Sequence, residues 1–180
     1  MLFLLNLSIC AQSQSRQIKY DTCTARSQYA GEWLYVNNSD TIKIFLKYQR
    51  IKSLQNYYLY DQLWGFLEFK HGNNIVYSDY YKRYDNIPFI IDTLMPFYNS
   101  VTLYSKKCYG NYLRQLNGNL TFNINGFQSY DVKAIVNSAG TEMTWHQDFH
   151  FTYHNSVTIP NNPPTGLNKM PDDFVLVKQP

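Results

Sequence analysis

Three of the four histidines lie in the short stretch 146–154, which also contains Asp148. On a β-strand, residues two apart point to the same face about 7 Å from each other, so His146, Asp148 and His150 could bind one Zn²⁺ ion. On a helix, His146, His150 and His154 would be four residues apart and could also chelate a metal. Imidazole and carboxylate are typical zinc ligands, so this stretch defines the enzymatic hypothesis, a metal-dependent hydrolase.

The residues around these histidines favour the strand. Met143, Trp145 and Phe149 alternate with polar neighbours, which predicts an amphipathic strand whose polar face carries the histidines. The polar face of an antiparallel sheet normally faces water. We therefore expect a solvated face, no bound metal and no cofactor, and keep His146, Asp148 and His150 only as weak metal candidates.

Other catalytic signatures are missing from the sequence. It contains no G-x-S-x-G nucleophile elbow, no phosphate-binding loop and no G-x-G-x-x-G turn. We therefore expect no catalytic residues and a protein that is not an enzyme.

Basic and aromatic side chains are interleaved near residue 50, where Lys43, Lys47, Arg50 and Lys52 alternate with Phe45 and several tyrosines. Such a pattern can bind single-stranded nucleic acid by stacking and by contacts to phosphates. It also occurs on the outer face of one strand, where lysine discourages edge-to-edge pairing. The net charge of +3 is too small to favour nucleic acid. We expect no nucleic-acid partner.

The N-terminal segment resembles a targeting signal. Residues 2–9 are apolar apart from Asn6 and Ser8, and Ala11 precedes a polar stretch. This predicts a signal peptide over residues 1–11 and an exported protein in the periplasm, at the cell surface or outside the cell. Lipidation at Cys10 is the less favoured alternative, because Ile9 fits a lipoprotein box poorly. There is no apolar run of 18 residues, so we expect no transmembrane helix.

Export affects the interpretation of the cysteines. Removing residues 1–11 leaves Cys23 and Cys108 in a compartment that permits disulfides. An even number of cysteines in an exported chain usually pairs, so we predict a Cys23–Cys108 disulfide. Two unrelated thiols are the alternative.

Alternation with a period of two dominates residues 12–180. In 41–49, for example, Ile42, Ile44 and Leu46 alternate with Thr41 and Lys43, as expected for a half-buried strand. Tyrosine, phenylalanine and tryptophan make up 17% of the chain, which excludes disorder over most of its length. Predicted strands cover residues 31–36, 41–49, 63–70, 75–77, 101–106, 119–125, 132–137, 142–153 and 174–178.

Short strands at near-regular spacing with hairpin turns predict one all-β domain over residues 12–180. Its expected form is a single antiparallel up-and-down barrel or a strongly curved sheet. Residues 80–99 are predicted as a long loop or irregular crossover, and 160–171 as a surface arm. The residues expected to face inward are Ile42, Ile44, Leu46, Leu120, Phe122, Ile124, Val132, Ala134 and Val136.

The opening Gly31-Glu32-Trp33 resembles the G-x-W of lipocalins, in which the Trp plugs the closed end of the barrel. The longer stretch 29–47, the runs 61–66 and 141–145 and the ending 171–178 resemble an uncharacterised family of small exported proteins from Bacteroidota. The resemblance implies a lipocalin-like β fold and provides no catalytic residues. Cys23 with Cys108 and the 146–154 stretch depart from the family's pattern.

The many aromatic side chains fit either a packed core or a lumen that holds an apolar ligand. The leading functional hypothesis is non-catalytic binding of a small apolar ligand or an envelope component, with Trp33, Tyr35 and Trp64 as contacts. A scaffold for protein contacts in the cell envelope is the alternative, and it predicts a filled core with a contiguous exposed apolar patch.

Overall fold

The computed structural model shows a chain folded almost entirely into strands. It describes residues 24–53, 59–85, 90–91, 100–104, 115–123, 127–154, 157–160 and 169–180. In residues 24–25, 50–53, 59–61, 90–91, 122–123, 127, 150–154 and 157–160 it describes the backbone only. None of the helices in these ranges has the length and apolar character needed to cross a membrane.

The described ranges contain two 3₁₀ helices, η1 (Thr24–Tyr29) and η2 (Tyr80–Tyr84). The strands are β1 (Gly31–Val36), β2 (Asp40–Ser53), β3 (Leu59–His71), β4 (Asn74–Ser78), β5 (Ile90–Ile91), β6 (Val101–Tyr104), β7 (Gln115–Asn123), β8 (Phe127–Val136), β9 (Glu142–His154), β10 (Val157–Pro160) and β11 (Asp173–Lys178).

Eight of these strands form a closed ring in the order β1, β2, β3, β6, β7, β8, β9 and β11, with β11 pairing back to β1. Every pairing around the ring is antiparallel. Closure leaves the ring without free edges. The predicted all-β fold, a lipocalin-like antiparallel barrel, is confirmed.

Three short strands lie outside the ring. β4 pairs with β3, β10 pairs with β9, and β5 pairs in parallel with β2. The sequence analysis did not predict β5 or β10. The region 80–99, predicted as a loop, also contains η2.

The inward face of the ring follows the predicted alternation. Ile42, Ile44 and Leu46 are at most 1% exposed. On β7 and β8 the predicted inward residues are also buried, namely Leu120, Val132, Ala134 and Val136. The alternation of apolar and polar residues therefore set the register correctly. The side chain of Phe122 and all of Ile124 lie outside the described residues.

One end of the barrel is covered by η1. Trp33 is fully buried there, and its indole Nε1 donates to Tyr29 O at 2.8 Å. The Lys178 ammonium lies 5.3 Å from the Trp33 ring centroid and donates to Gln28 O at 2.9 Å. Burial raises the pKa of the Tyr29 phenol to about 12. Trp33 thus lies beneath η1 at a covered end of the barrel.

The segment before β11 is tied to β9. Gln147 N donates to Asp172 O at 2.8 Å, and Gln147 Nε2 donates to Pro171 O at 3.0 Å. Met170 is fully buried in the core as a result. The predicted surface arm is therefore wrong at Met170, because Gln147, an inward polar residue, provides the bonds that hold this segment against the barrel.

Candidate functional site

A polar groove crosses the outer face of β6, β7, β8 and β9. Cross-strand pairing aligns Tyr104 with Asn117, Asn117 with Lys133, and Lys133 with His146. A second pair, Asp131 with Asp148, lies beside this row. Residues of one parity on a strand share a face, so these side chains all point away from the core. We call the set formed by Tyr104, Asn117, Asp131, Lys133, His146 and Asp148 the outer groove.

The outer groove has a volume of about 530 Å³, and Gly118 and Val132 complete its lining. This volume falls within the range of about 300–1,000 Å³ that is typical of sites for small molecules. The groove is open to solvent and is carried by consecutive strands of a closed ring. Such a framework holds polar side chains in fixed relative positions.

Gly118 is required where β6 and β7 meet. A Cβ atom at this position would lie 1.9 Å from Thr102 O and 2.9 Å from Leu103 Cα. Both neighbours are backbone atoms, which cannot move aside without shifting β6. The close approach of these two strands, and with it this side of the outer groove, therefore depends on a residue without a side chain.

Several polar groups in the outer groove have unused hydrogen-bonding capacity. Asn117 Oδ1 accepts from Gln115 Nε2 at 3.2 Å, which leaves the Asn117 amide protons available. Within the described residues, neither the Lys133 ammonium nor the Tyr104 hydroxyl has a hydrogen-bond partner. These groups can donate to a ligand without first breaking a contact inside the protein.

His146 is held between two carboxylates. Its Nδ1 lies 2.7 Å from Asp173 Oδ1 on β11, and its Nε2 lies 3.0 Å from Asp148 Oδ2. Ionised carboxylates only accept hydrogen bonds, so both ring nitrogens donate and the ring is positively charged when both bonds form. The hydrogen bond to Asp173, followed by that to Asp148, raises the pKa of His146. This arrangement links β9 to β11.

The metal candidates do not form a ligand set in the described part of the chain. His146 and Asp148 are in contact, but each His146 nitrogen is occupied by a carboxylate, and a metal ligand needs a free lone pair on nitrogen. The side chain of His150 lies outside the described residues. No group of three or more histidine, cysteine, aspartate or glutamate residues within the described ranges could hold a metal ion.

Two of the three predicted ligand contacts lie on the inner face of the barrel. Trp33 is fully buried beneath η1. Tyr35 is half-buried, its ring centroid lies 5.1 Å from that of Phe174, and its hydroxyl accepts from Asn37 Nδ2 at 2.8 Å. Trp145, also fully buried, stacks on Phe174 with 6.0 Å between centroids. Packing contacts between rings therefore occupy these positions.

Trp64, the third predicted contact, lies on the opposite face of the wall. It is only 4% exposed, and its indole nitrogen donates to Gln62 Oε1 at 3.1 Å. Its outward neighbour Phe66 is fully buried, and Phe45 packs edge-on against Tyr84 of η2 with 6.0 Å between centroids. An apolar layer thus lies outside the barrel at β2 and β3, and Trp64 does not share a site with Trp33 and Tyr35.

A second polar cluster surrounds Asp79 at the start of η2. Its carboxylate accepts from Leu67 N at 2.6 Å, from Ser100 N at 3.0 Å and from Ser100 Oγ at 2.7 Å. Ser100 Oγ also lies 2.9 Å from the Tyr77 hydroxyl. Burial raises the pKa of the Asp79 carboxyl, while the hydrogen bonds from Leu67 and Ser100 oppose that shift. This Asp79 cluster joins β3, β4 and β6 and has a structural role.

Sequence reasoning missed most of the outer groove. Tyr104, Asn117, Asp131 and Lys133 were not singled out, and only His146 and Asp148 were considered as site residues. The outward parity of Asp131 and Lys133 could be deduced from the alternation of β8. Their alignment with Tyr104 and Asn117 depends on the pairings of β6 with β7 and of β7 with β8. Cys10, Cys23 and Cys108 lie outside the described residues, so lipidation and the disulfide remain predictions.

A family model matches residues 1–179 of the chain, and it is described as a "Family of unknown function (DUF6705)". No curated protein and no solved structure matches the chain.

Proposed function

The chain belongs to this family of unknown function, and we propose that it is a non-catalytic binding protein whose ligand occupies the outer groove. The observation that carries the proposal is an open polar groove with unpaired donors, mounted on a closed barrel. Concave sites with a few convergent polar groups are the usual location of small-molecule binding.

The interior of the barrel is filled by its own side chains, which favours binding at the outer wall. Trp33, Trp145, Tyr130 and Phe69 are at most 1% exposed and belong to one contiguous core cluster. Protein interiors are close-packed, so an apolar ligand among these rings would have to displace side chains. We therefore assign the ligand to the outer groove rather than to the inner positions of Trp33 and Tyr35 or to Trp64, which is buried on the outward face of β3.

The groove chemistry favours binding over catalysis. His146 is the outer-groove residue best suited to move a proton near neutral pH. Both of its nitrogens are engaged by Asp148 and Asp173, so it has no free lone pair with which to act as a base. The remaining charged groups serve better as hydrogen-bond partners for a bound molecule.

We also propose that the protein is exported, with its ligand a component of the cell envelope or the surrounding medium. The support is the apolar segment before Ala11. Mass spectrometry of the protein purified from its native cells tests this proposal. A mature chain that begins at Gln12 is expected, and a retained N-terminal segment in a cytoplasmic fraction would contradict it.

A scaffold role in the envelope is a second candidate, favoured by an apolar patch beside the groove. Val36, Val175, Val177 and Ile135 are each between 37% and 61% exposed. They lie on the outward faces of β1, β11 and β8, with Thr144 of β9 between Ile135 and Val175. Contiguous exposed aliphatic side chains often mark contact surfaces. Val175→Lys should release the protein from envelope fractions, whereas unchanged fractionation would exclude this role.

Thermal unfolding with a chemically diverse panel tests the binding proposal. The panel contains disaccharides, inorganic phosphate, Ca²⁺, glycine and laurate. A ligand at 100 times its Kd stabilises the folded state by about 2.7 kcal/mol. The stabilisation should disappear in Lys133→Glu and persist in Lys43→Glu, a charge reversal on β2 outside the groove. Because Lys43 pairs with Glu68 at 3.7 Å, each variant is compared with itself without ligand. Stabilisation that survives in Lys133→Glu would refute the outer groove as the site.

A further inference from the structure

The described lining of the outer groove carries no excess of one charge. It includes two carboxylates, from Asp131 and Asp148, and two cations, from Lys133 and from His146 when the latter bridges Asp148 and Asp173. A groove that selects a phosphate or a metal ion by charge needs an excess of one sign. The described lining residues offer no such excess, which favours a polar ligand without net charge.

Hydrogen-bond donors and acceptors occupy two neighbouring rows of the groove. The row from β6 to β8 presents the Tyr104 hydroxyl, the Asn117 amide and the Lys133 ammonium, all of which can donate. The adjacent pair, Asp131 and Asp148, presents carboxylate oxygens that only accept. A ligand that satisfies both rows needs groups that donate and accept at neighbouring positions, and vicinal hydroxyls have this property.

The volume of the groove and the Tyr104 side chain at its edge also fit a ligand with vicinal hydroxyls. A volume of about 530 Å³ can accommodate more than a single small ion. Tyr104 borders the groove, and its side chain combines an apolar aromatic ring with a polar hydroxyl. A sugar ring has a matching apolar C–H face and a polar rim.

We propose that the outer groove binds a neutral saccharide of one or two rings, with its hydroxyls held by Asn117, Lys133 and the Asp131–Asp148 pair. This inference rests on the proposed function and specifies its ligand class. Asn117 and Lys133 would donate hydrogen bonds to the sugar hydroxyl oxygens, and the carboxylates would accept hydrogen bonds from the sugar O–H groups. Charge-assisted bonds of this kind are stronger than neutral ones.

Isothermal titration calorimetry on the full chain tests the saccharide. The probes are maltose, cellobiose and N,N′-diacetylchitobiose, each paired with the hexasaccharide of the same linkage. Inorganic phosphate and Ca²⁺ are the charged comparators, and glycine is a zwitterionic one. We expect at least one disaccharide to bind, and Asn117→Ala and Lys133→Ala each to weaken it about tenfold. Lys43→Ala removes a lysine on β2 outside the groove, together with its ion pair to Glu68, and should change Kd by less than about twofold.

Each outcome decides the inference. Binding of the disaccharide alone identifies a free sugar, and binding of its hexasaccharide as well identifies a glycan chain, both of which support the saccharide class. No heat with any saccharide overturns it. Binding of phosphate, Ca²⁺ or glycine in its place, lost in Lys133→Ala, overturns the saccharide class but retains the proposed function. Binding that is unaffected by Asn117→Ala and Lys133→Ala overturns both.

Discussion

The Asp79 cluster and the outer groove are two polar regions of the same wall that differ in how their hydrogen bonds are used. Asp79 is 4% exposed, and the protein's own donors occupy both of its carboxylate oxygens. In the outer groove, Lys133 and Tyr104 face solvent without hydrogen-bond partners among the described residues. A satisfied buried cluster stabilises a fold, whereas open donors on a fixed framework are available to a ligand.

The largest expected effect follows from removing the centre of the buried cluster. Asp79→Ala leaves the N–H groups of Leu67 and Ser100 and the hydroxyl of Ser100 without their acceptor. Each unsatisfied buried group costs about 1–3 kcal/mol, so we expect a loss of about 3–5 kcal/mol in the free energy of unfolding. Urea denaturation measures it. A loss below 1 kcal/mol would show that the cluster is not structural.

Gly118→Ala should come next, because the new Cβ would overlap the backbone of β6. Overpacking of this kind costs about 1–3 kcal/mol, and here it should also distort the outer groove. Gly72→Ala is the control, since its Cβ would meet nothing within 4 Å and only its positive φ of 57° opposes the change. The Gly72 variant should lose about 1 kcal/mol. Equal losses in urea denaturation would refute the steric argument.

Tyr77→Phe removes one hydroxyl from the edge of the Asp79 cluster. The lost hydrogen bond to Ser100 Oγ should cost about 0.5–1.5 kcal/mol. Burial raises the pKa of the Tyr77 phenol to about 12, with the Asp79 charge adding to the shift. In an ultraviolet pH titration, the wild type should show a tyrosine with a pKa of about 12 that this variant lacks. A phenol that titrates near 10 would contradict the contact.

The smallest effect concerns His146, which is exposed. Asp173 and Asp148 raise its pKa above the unfolded value of about 6.5. The folded state therefore holds the proton more tightly, and the link between β9 and β11 contributes fully below pH 6.5 and is lost as the pH rises through the raised value. The contribution should be less than about 1 kcal/mol.

His146→Gln should remove this pH dependence, and Asp173→Asn, which removes the larger of its two causes, should reduce it. Urea denaturation between pH 5 and 9 measures it. A wild-type stability that increases through this window because of His146 would contradict the assigned direction of the pKa shift.

Much of the fold followed from alternation along the strands. Ile42, Ile44 and Leu46 point inward because a shift of one residue would move all three into water. Met170 could not be predicted in this way, because the bonds that hold its segment come from Gln147, a polar residue at an inward position. The burial of Trp64 on the outward face of β3 could not be predicted either, because burial at an outward position has no periodic signal.

The site was harder to predict than the fold. The alternation of β9 placed His146 and Asp148 on one polar face, which the structure confirms. Tyr104 and Asn117 reach the same groove only through two further strand pairings, whose registers depend on segments between the strands. Sequence spacing alone does not determine such registers, so the groove could be recognised only in three dimensions.

The most direct test of the account is a ¹H–¹⁵N NMR titration of the full chain with the best-binding disaccharide. It follows the side-chain amide of Asn117 on the outer wall and the indole N–H groups of Trp33 and Trp145 inside the barrel. We predict a progressive, saturable shift of the Asn117 amide with both indole signals unchanged. Shifts of the two indoles with a stationary Asn117 amide would place the ligand inside the barrel and contradict the account.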